Sequence, residues 1–325
     1  SAGIIVGVYV DDLIVTGESP SEITAFKQQM MGEFEMSDLG LLTYYLGIEV
    51  LQGTDGIAIK QAAYARKILT QFGMLDCNST SIPIEHRSQL HKDAQGSTVD
   101  PTEYRRVIGC LRYLLHTRPD LSYAVGVVSR FMERPTVMHF KAVKQILRYL
   151  KGTINCGLMF SGGNGAVEIT GFTDSDLAGD SDDRRSTSGM AFYFNGSLVS
   201  WSSQKQKTVA LSSCEAEFMA ATAAACHALW LRGLLIEMIG AEARPVKLYV
   251  DNKSAIALMK NPVFHGRSKH IDTRYHFIRE CVESGKIQIE FVRTEEQRAD
   301  ALTKGLPAAR LATARHLLGV RDFGP

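Results

Sequence analysis

Two adjacent carboxylates, Asp11 and Asp12, interrupt an apolar run that otherwise reads as a buried hairpin. Ile4-Ile5-Val6-Gly7-Val8 lies before them and Leu13-Ile14-Val15-Thr16-Gly17 after them. Both flanks are short and β-branched, which predicts two strands joined by a tight turn at Tyr9-Val10-Asp11-Asp12. Asp is at home in turns, so a solvated hairpin tip is the plain reading. Two acids side by side repel each other, however, and a divalent cation with oxygen ligands is the usual relief. Asp11 and Asp12 are therefore candidate metal ligands and catalytic acids.

At 325 residues, 45% hydrophobic and 22% charged, the chain is globular in composition and long enough for two or three cores. No continuous apolar run approaches the roughly 20 residues that span a bilayer, and the N-terminus lacks a signal pattern, so no membrane partner is expected. The six cysteines are far apart, without a C-x-x-C pair. That speaks against zinc and a disulfide framework, and for reduced thiols in the cytoplasm or nucleus. His265, His270 and His276 are spaced by five and six residues, unlike the pair in H-E-x-x-H, and His270 and His276 are read as packing or hydrogen-bonding residues.

Charge is uneven although the net is only +1. Residues 100–151 hold ten Lys/Arg against four Asp/Glu. Asp100-Pro101-Thr102-Glu103 reads as a helix start, with N-cap, proline in the first turn and capping-box acid. Phe140, Val143, Ile146, Leu147 and Leu150 keep helical spacing, which leaves Lys141, Lys144, Arg148 and Lys151 on or near the polar side. A solvated face is the bland reading; a grip on nucleic-acid phosphates is the functional one.

Upstream of these helices the pattern predicts a helix over 19–36, a hairpin over 44–61, a short helix to Met74 and an irregular stretch over 78–99. Downstream, Ser161-Gly162-Gly163-Asn164-Gly165 reads as a flexible linker. Beyond it come predicted strands at Val167–Thr173, Gly189–Phe194 and Leu198–Ser202, a long helix at Ser213–Ile239, and strands at Val246–Val250 and Ile287–Val292. This order implies an α/β fold with a mixed sheet and helices packed on it. Acids stand where elements end: Asp174 after the first strand, Glu217 early in the long helix, Asp251 after Leu248-Tyr249-Val250, and Asp300 opening a terminal helix. Ser212-Ser213-Cys214-Glu215 fits a capping box, which assigns Glu215 to the Ser212 backbone N–H. Glu217 lies roughly 200° further round the helix and is free for a metal. Asp174 and Asp176 share one strand face, and alternation does not choose between them.

The Tyr9–Asp12 tetrad resembles the catalytic hairpin of a reverse transcriptase palm. A series of further words extends the likeness in order. They are Trp201-Ser202-Ser203-Gln204-Lys205-Gln206, Leu211-Ser212-Ser213-Cys214-Glu215-Ala216-Glu217, Val250-Asp251-Asn252-Lys253-Ser254-Ala255, Lys269-His270-Ile271-Asp272, Tyr275-His276-Phe277-Ile278-Arg279-Glu280 and Ala299-Asp300-Ala301-Leu302-Thr303-Lys304. Together they resemble copia-type LTR retrotransposon Pol polyproteins over nearly the whole chain. The resemblance implies a partial reverse transcriptase palm over 1–99, a basic helical thumb or connection over 100–160, and a ribonuclease H-like domain with a five-stranded mixed sheet over 161–325.

It further implies Asp174, Glu217, Asp251 and Asp300 as a metal-binding quartet for two Mg²⁺ or Mn²⁺ ions, about 3.5–4 Å apart in such centres. The implied reaction is endonucleolytic cleavage of the RNA strand of an RNA–DNA hybrid. Strand choice rests on ribose 2′-hydroxyls, with Gln204, Gln206, Asn252 and Ser254 as candidate contacts and Lys205 as a further substrate-binding candidate. The family's upstream polymerase carboxylate is not among the ten residues before Asp11, so RNA-templated, DNA-primed polymerisation is expected only in a full-length parent. A virus-like particle in the cytoplasm, or the nucleus, is the implied setting. The alternative is a retroelement relic or domesticated fragment that binds nucleic acid and catalyses nothing.

Overall fold

The computed structural model describes residues 3–86, 88–162, 167–240, 244–260 and 269–324. At the N-terminus β1 (Ile4–Tyr9) and β2 (Asp12–Gly17) form the predicted antiparallel hairpin, with Tyr9 opposite Asp12. The Ser19 hydroxyl then accepts the Glu22 N–H and starts α1 (Pro20–Glu33). Full burial begins only at Val50.

Two short strands, β3 (Tyr44–Tyr45) and β4 (Ile48–Gly53), lead through a turn to β5 (Gly56–Lys60) and α2 (Ala62–Gln71). Three helices follow: α3 (Pro101–Leu114), α4 (Ser122–Val128) and α5 (Val137–Gly152), then β6 (Cys156–Phe160). Asp100 caps α3 by accepting the Thr102 N–H, as its sequence predicts. The apolar stripe of α5 buries Val143, Ile146, Leu147 and Leu150.

The second half begins with β7 (Ile169–Ser175), β8 (Thr187–Phe194) and β9 (Ser197–Lys205), followed by α6 (Ser213–Ile239) and β10 (Val246–Val250). It continues through α7 (Lys253–Lys260), α8 (Lys269–Glu283) and β11 (Ile287–Phe291). Two 3₁₀ turns, Thr294–Glu296 and Asp300–Leu302, precede α9 (Ala308–Leu317) and β12 (Val320–Asp322). The predicted linker lies partly outside the described residues, as do His265 and the His270 side chain.

One sheet runs β11-β10-β7-β8-β9, with β10 parallel to both its neighbours and the β7-β8 and β8-β9 pairs antiparallel. This is the expected five-stranded mixed sheet. A second sheet runs β12-β6-β5-β4-β3 and is antiparallel throughout. Its outer strand β12 comes from the far end of the chain and pairs Val320 with Leu158. A boundary at residue 161 therefore separates β12 from its partner strand. A strand of three residues cannot hold an edge alone, and the buried Leu318 and Val320 draw it onto the upstream half.

The cores explain the tie. One continuous cluster joins Val107, Leu111, Val125 and Leu147 of the helices to Phe172, Tyr193 and Leu198 of the mixed sheet and to Leu302, Leu311 and Leu318. The opposite face of that sheet packs Ile169, Phe192 and Leu248 against Phe218, Ala221 and Ala225 of α6. Contrary to the composition-based expectation, α6 is long and apolar enough to cross a membrane. Its alanine-rich side is buried on the sheet, which accounts for the hydropathy of a core helix.

Candidate metal centre

Strands β7 and β10 lie side by side and run in the same direction, so the acids at their ends emerge together. Asp174 comes from the end of β7 and Asp251 follows β10 directly. Glu217 reaches them from the second turn of α6. One carboxylate oxygen from each of Asp174, Glu217 and Asp251 lies within 4.8 Å of the others. Asp174 and Glu217 are buried and Asp251 is half-buried.

Backbone and hydroxyl donors fix this trio. Glu217 Oε1 accepts the Ser175 N–H at 3.2 Å, and Thr303 donates to Asp174 Oδ2 at 2.5 Å. Thr294 donates to Asp251 Oδ2 at 3.2 Å. The remaining oxygen of Glu217, Oε2, is buried without a hydrogen-bond partner among the described residues. Burial, with Asp174 and then Asp251 adding repulsion, pushes the Glu217 carboxyl up to about 10. Burial and Asp174 likewise raise Asp251, against the opposing pull of the Thr294 hydroxyl and Lys304. A buried, orphaned oxygen among three acids fits a hard divalent cation. Asp174, Glu217 and Asp251 are the residues that would hold it.

Asp176 is turned to the neighbouring strand, where it accepts the Thr187 N–H, and stays outside the trio. Burial lifts its carboxyl to about 6. Glu215 does cap α6, but one residue away from the predicted place: its carboxylate accepts the Leu211 N–H, while its own N–H goes to the Ser212 hydroxyl. The loop ahead of α6 curls back far enough to offer Leu211 first.

Asp300 stands beside the trio, not within it. Lys304 Nζ approaches its Oδ1 at 2.5 Å and Arg310 Nε its Oδ2 at 3.1 Å. Lys304 also lies 3.9 Å from Asp174 Oδ2. A second Arg310 nitrogen donates to the Thr294 carbonyl, which closes a ring of contacts from Asp251 through Thr294, Arg310, Asp300 and Lys304 to Asp174. The quartet implied by the sequence is thus a trio with an ion-paired neighbour. Thr303, Lys304 and Arg310 were not singled out from sequence, although the first two lie in the word around Asp300. Gly189 also escaped notice: a Cβ there would stand 2.8 Å from Leu302 Cβ and Thr303 Cγ2. It sits opposite Asp174 and lets the Asp300 turn close on the sheet. A glycine inside a strand is the available signal.

Several predicted substrate contacts are engaged inside the fold. Gln206 is buried and donates to the Ser175 and Ser188 hydroxyls and the Ala216 carbonyl, tying β9 to α6. Lys205 is paired with Asp180 at 2.6 Å and Asp183 at 2.8 Å. Asn252 accepts the Ala255 N–H at the start of α7. Ser254 and Gln204 are exposed.

The basic stretch is likewise largely occupied. Arg118 is fully buried on Asp120, Arg130 pairs with Asp180, and Arg148 donates to the Asn78 carbonyl. Arg105 and Arg134 donate to the Met132 and Ala94 carbonyls, and Lys144 stands 5.4 Å over the Phe140 ring. Lys141 is exposed. The hairpin acids lie apart: Asp11 is in the exposed turn and Asp12 opens β2, and neither belongs to a three-acid cluster among the described residues.

Comparison with known proteins agrees with this architecture. Residues 1–86 match the reverse transcriptase (RNA-dependent DNA polymerase) family. The chain is 39% identical over 318 residues, 98% of its length, to the retrovirus-related Pol polyprotein from transposon RE1 of Arabidopsis thaliana. It spans 22% of that relative. It is also 31% identical over 222 residues to a putative transposon Ty5-1 protein of Saccharomyces cerevisiae, covering 67% of this chain and 72% of that one. Among solved structures, a foamy viral protease-reverse transcriptase in complex with an RNA/DNA hybrid superposes with a TM-score of 0.52 at 15% identity, over 89% of this chain and 36% of that one.

Proposed function

This chain belongs to the copia-type retrotransposon Pol polyproteins, as a segment with reverse transcriptase and ribonuclease H-like parts, and from that membership we propose that its acidic trio cleaves the RNA strand of RNA–DNA hybrids. The observation that carries the reading is the buried, unpartnered oxygen of Glu217 beside Asp174 and Asp251. A divalent ion bound there supplies Lewis-acid polarisation of a phosphodiester and a lowered pKa for an attacking water. Mg²⁺ and Mn²⁺ suit an all-carboxylate donor set.

The chain's own residues divide the remaining work. Thr303, Ser175 and Thr294 hold the three carboxylates in fixed orientation, and Lys304 and Arg310 form a cationic rim beside Asp300. That rim attracts the phosphate of an approaching strand. Ser254, exposed beside the Asp251 loop, is the better remaining candidate for a ribose contact, and Lys141 for a phosphate. Binding of a hybrid is in keeping with the foamy viral structure of similar fold, which contains one. We propose polymerisation for a longer Pol polyprotein, in which Asp11 and Asp12 of the reverse transcriptase-matching segment would take part.

The test is cleavage of end-labelled RNA in a hybrid by the 325-residue chain with Mg²⁺. Wild type is expected to cut the RNA strand only, and Asp174→Asn and Glu217→Gln to fall to background. Cleavage that survives both substitutions overturns the reading. A wild-type chain that binds hybrid without cutting it supports the relic instead.

A further inference from the structure

Lys304 stands where the trio meets its ion-paired neighbour. Its ammonium contacts Asp300 at 2.5 Å and lies 3.9 Å from Asp174, which also belongs to the trio. Asp300 therefore faces two cations, Lys304 and Arg310, whereas neither Glu217 nor Asp251 has an ion pair among the described residues. The two cations differ in freedom. Arg310 is anchored by its second bond to the Thr294 carbonyl. Among the described residues Lys304 makes no hydrogen bond beyond its carboxylate contacts, and 44% of its side chain is exposed.

We propose that Lys304 is a resident counter-cation that competes with a divalent ion for Asp174 and Asp300, so that the chain without nucleic acid takes up one divalent ion readily and a second only against Lys304. The inference rests on the reading of the trio as a metal centre. Its physical basis is charge. A divalent ion shared by Asp174 and Asp300 would have to occupy the place of the ammonium or sit against it, and like charges at such range repel strongly in a partly buried site. The trio is different: its orphaned Glu217 oxygen needs a cation and Lys304 does not reach it. The exposed stem gives the ammonium a way out, and a phosphate of a bound strand offers it a new partner. The capacity for a second ion is thereby coupled to substrate.

The experiment counts Mn²⁺ bound to the full 325-residue chain without nucleic acid, following free Mn²⁺ by electron paramagnetic resonance. Wild type is expected to bind one ion per chain over the range in which Lys304→Met binds two, or in which its weaker site tightens at least about tenfold. Lys304→Arg retains the charge and is expected to follow wild type, which separates lost charge from lost packing. Superimposable wild-type and Lys304→Met titrations overturn the inference alone, and so does a wild type that already binds two ions equally. A first ion unaffected by Glu217→Gln overturns the metal centre itself, and this inference with it.

Discussion

Glu217 and Glu215 lie two residues apart on one helix and carry opposite burdens. Glu217 is buried among acids and its carboxyl is raised from 4.5 to about 10, so its contribution to stability is full below about pH 4.5 and is lost as pH rises through about 10. The metal-free protein should accordingly melt at falling temperature across that window, and Glu217→Gln should flatten the slope. Added Mg²⁺ should raise the melting temperature of wild type at pH 8 and leave Glu217→Gln unmoved. Glu215→Ala should instead cost about 0.5–2 kcal/mol with Mg²⁺ stabilisation intact, because its carboxylate caps the Leu211 N–H. Thermal melts of the three proteins with and without Mg²⁺ decide this; an Mg²⁺ response in Glu217→Gln contradicts the assignment. Helical geometry made this pair legible in sequence, since 3.6 residues per turn separates their faces. Asp174 and Asp176 were not separable that way, because a strand repeats every two residues. The cross-strand bond from Thr187 to Asp176, with Asp174 gathered beside Glu217 and Asp251, tells them apart. The Lys304 and Arg310 contacts with Asp300 were hidden for a related reason: a long cationic side chain can reach several acids, and spacing alone does not choose.

Between elements, a buried acid serves as a brace. Asp180, in the loop between β7 and β8, accepts Arg130 from the turn after α4 at 3.0 Å and Lys205 from the end of β9 at 2.6 Å. Burial alone would raise its carboxyl, but the Lys205 bond and the Asp182 and Asp183 N–H groups outweigh it and bring it down from 3.8 to about 2. A depressed acid contributes stability above its ordinary value and loses it as pH falls through the lowered one. The melting temperature should therefore drop between about pH 4 and pH 2, and Asp180→Asn should lower it at neutral pH while weakening the acid-side dependence. An acid limb unchanged in Asp180→Asn would falsify the brace. Elements themselves were well marked: the sequence pattern predicted the strands of the mixed sheet, and caps at Asp100 and Ser212 predicted two helix starts. The roles of the basic residues were not. Arg118 lies two residues from Asp120 and is buried on it, yet in sequence it is indistinguishable from a phosphate-binding arginine. Positive charge on a helix announces an anionic partner, and here many of the partners are carboxylates or carbonyls of the same chain.

At the scale of the whole molecule, the last strand decides whether the two sheets are independent. β12 supplies the outer edge of the sheet built from β3–β6, and α9 just before it packs into the cluster that also lines one face of the mixed sheet. The Tyr193 hydroxyl in β8 donates to the Leu317 carbonyl at 3.1 Å, which fixes the approach to β12 against the mixed sheet. Leu318 is 0% exposed and Val320 3%. Such a tie is invisible to local pattern: β12 has three residues, below the length at which alternation is readable, and its partner strand lies some 160 residues earlier. Val320→Asp buries an unpaired charge at this seam and should destabilise by several kcal/mol. Hydrogen exchange on the intact chain reads how far the damage spreads. Protection should fall in β4–β6 and in β7–β9 together, with one thermal transition before and after substitution. If the seam is a passive contact, β4–β6 will lose protection while β7–β9 keep theirs, and residues 161–325 will melt alone as they do in the full chain. With a shared core beneath both sheets, the joint loss is the outcome the packing requires.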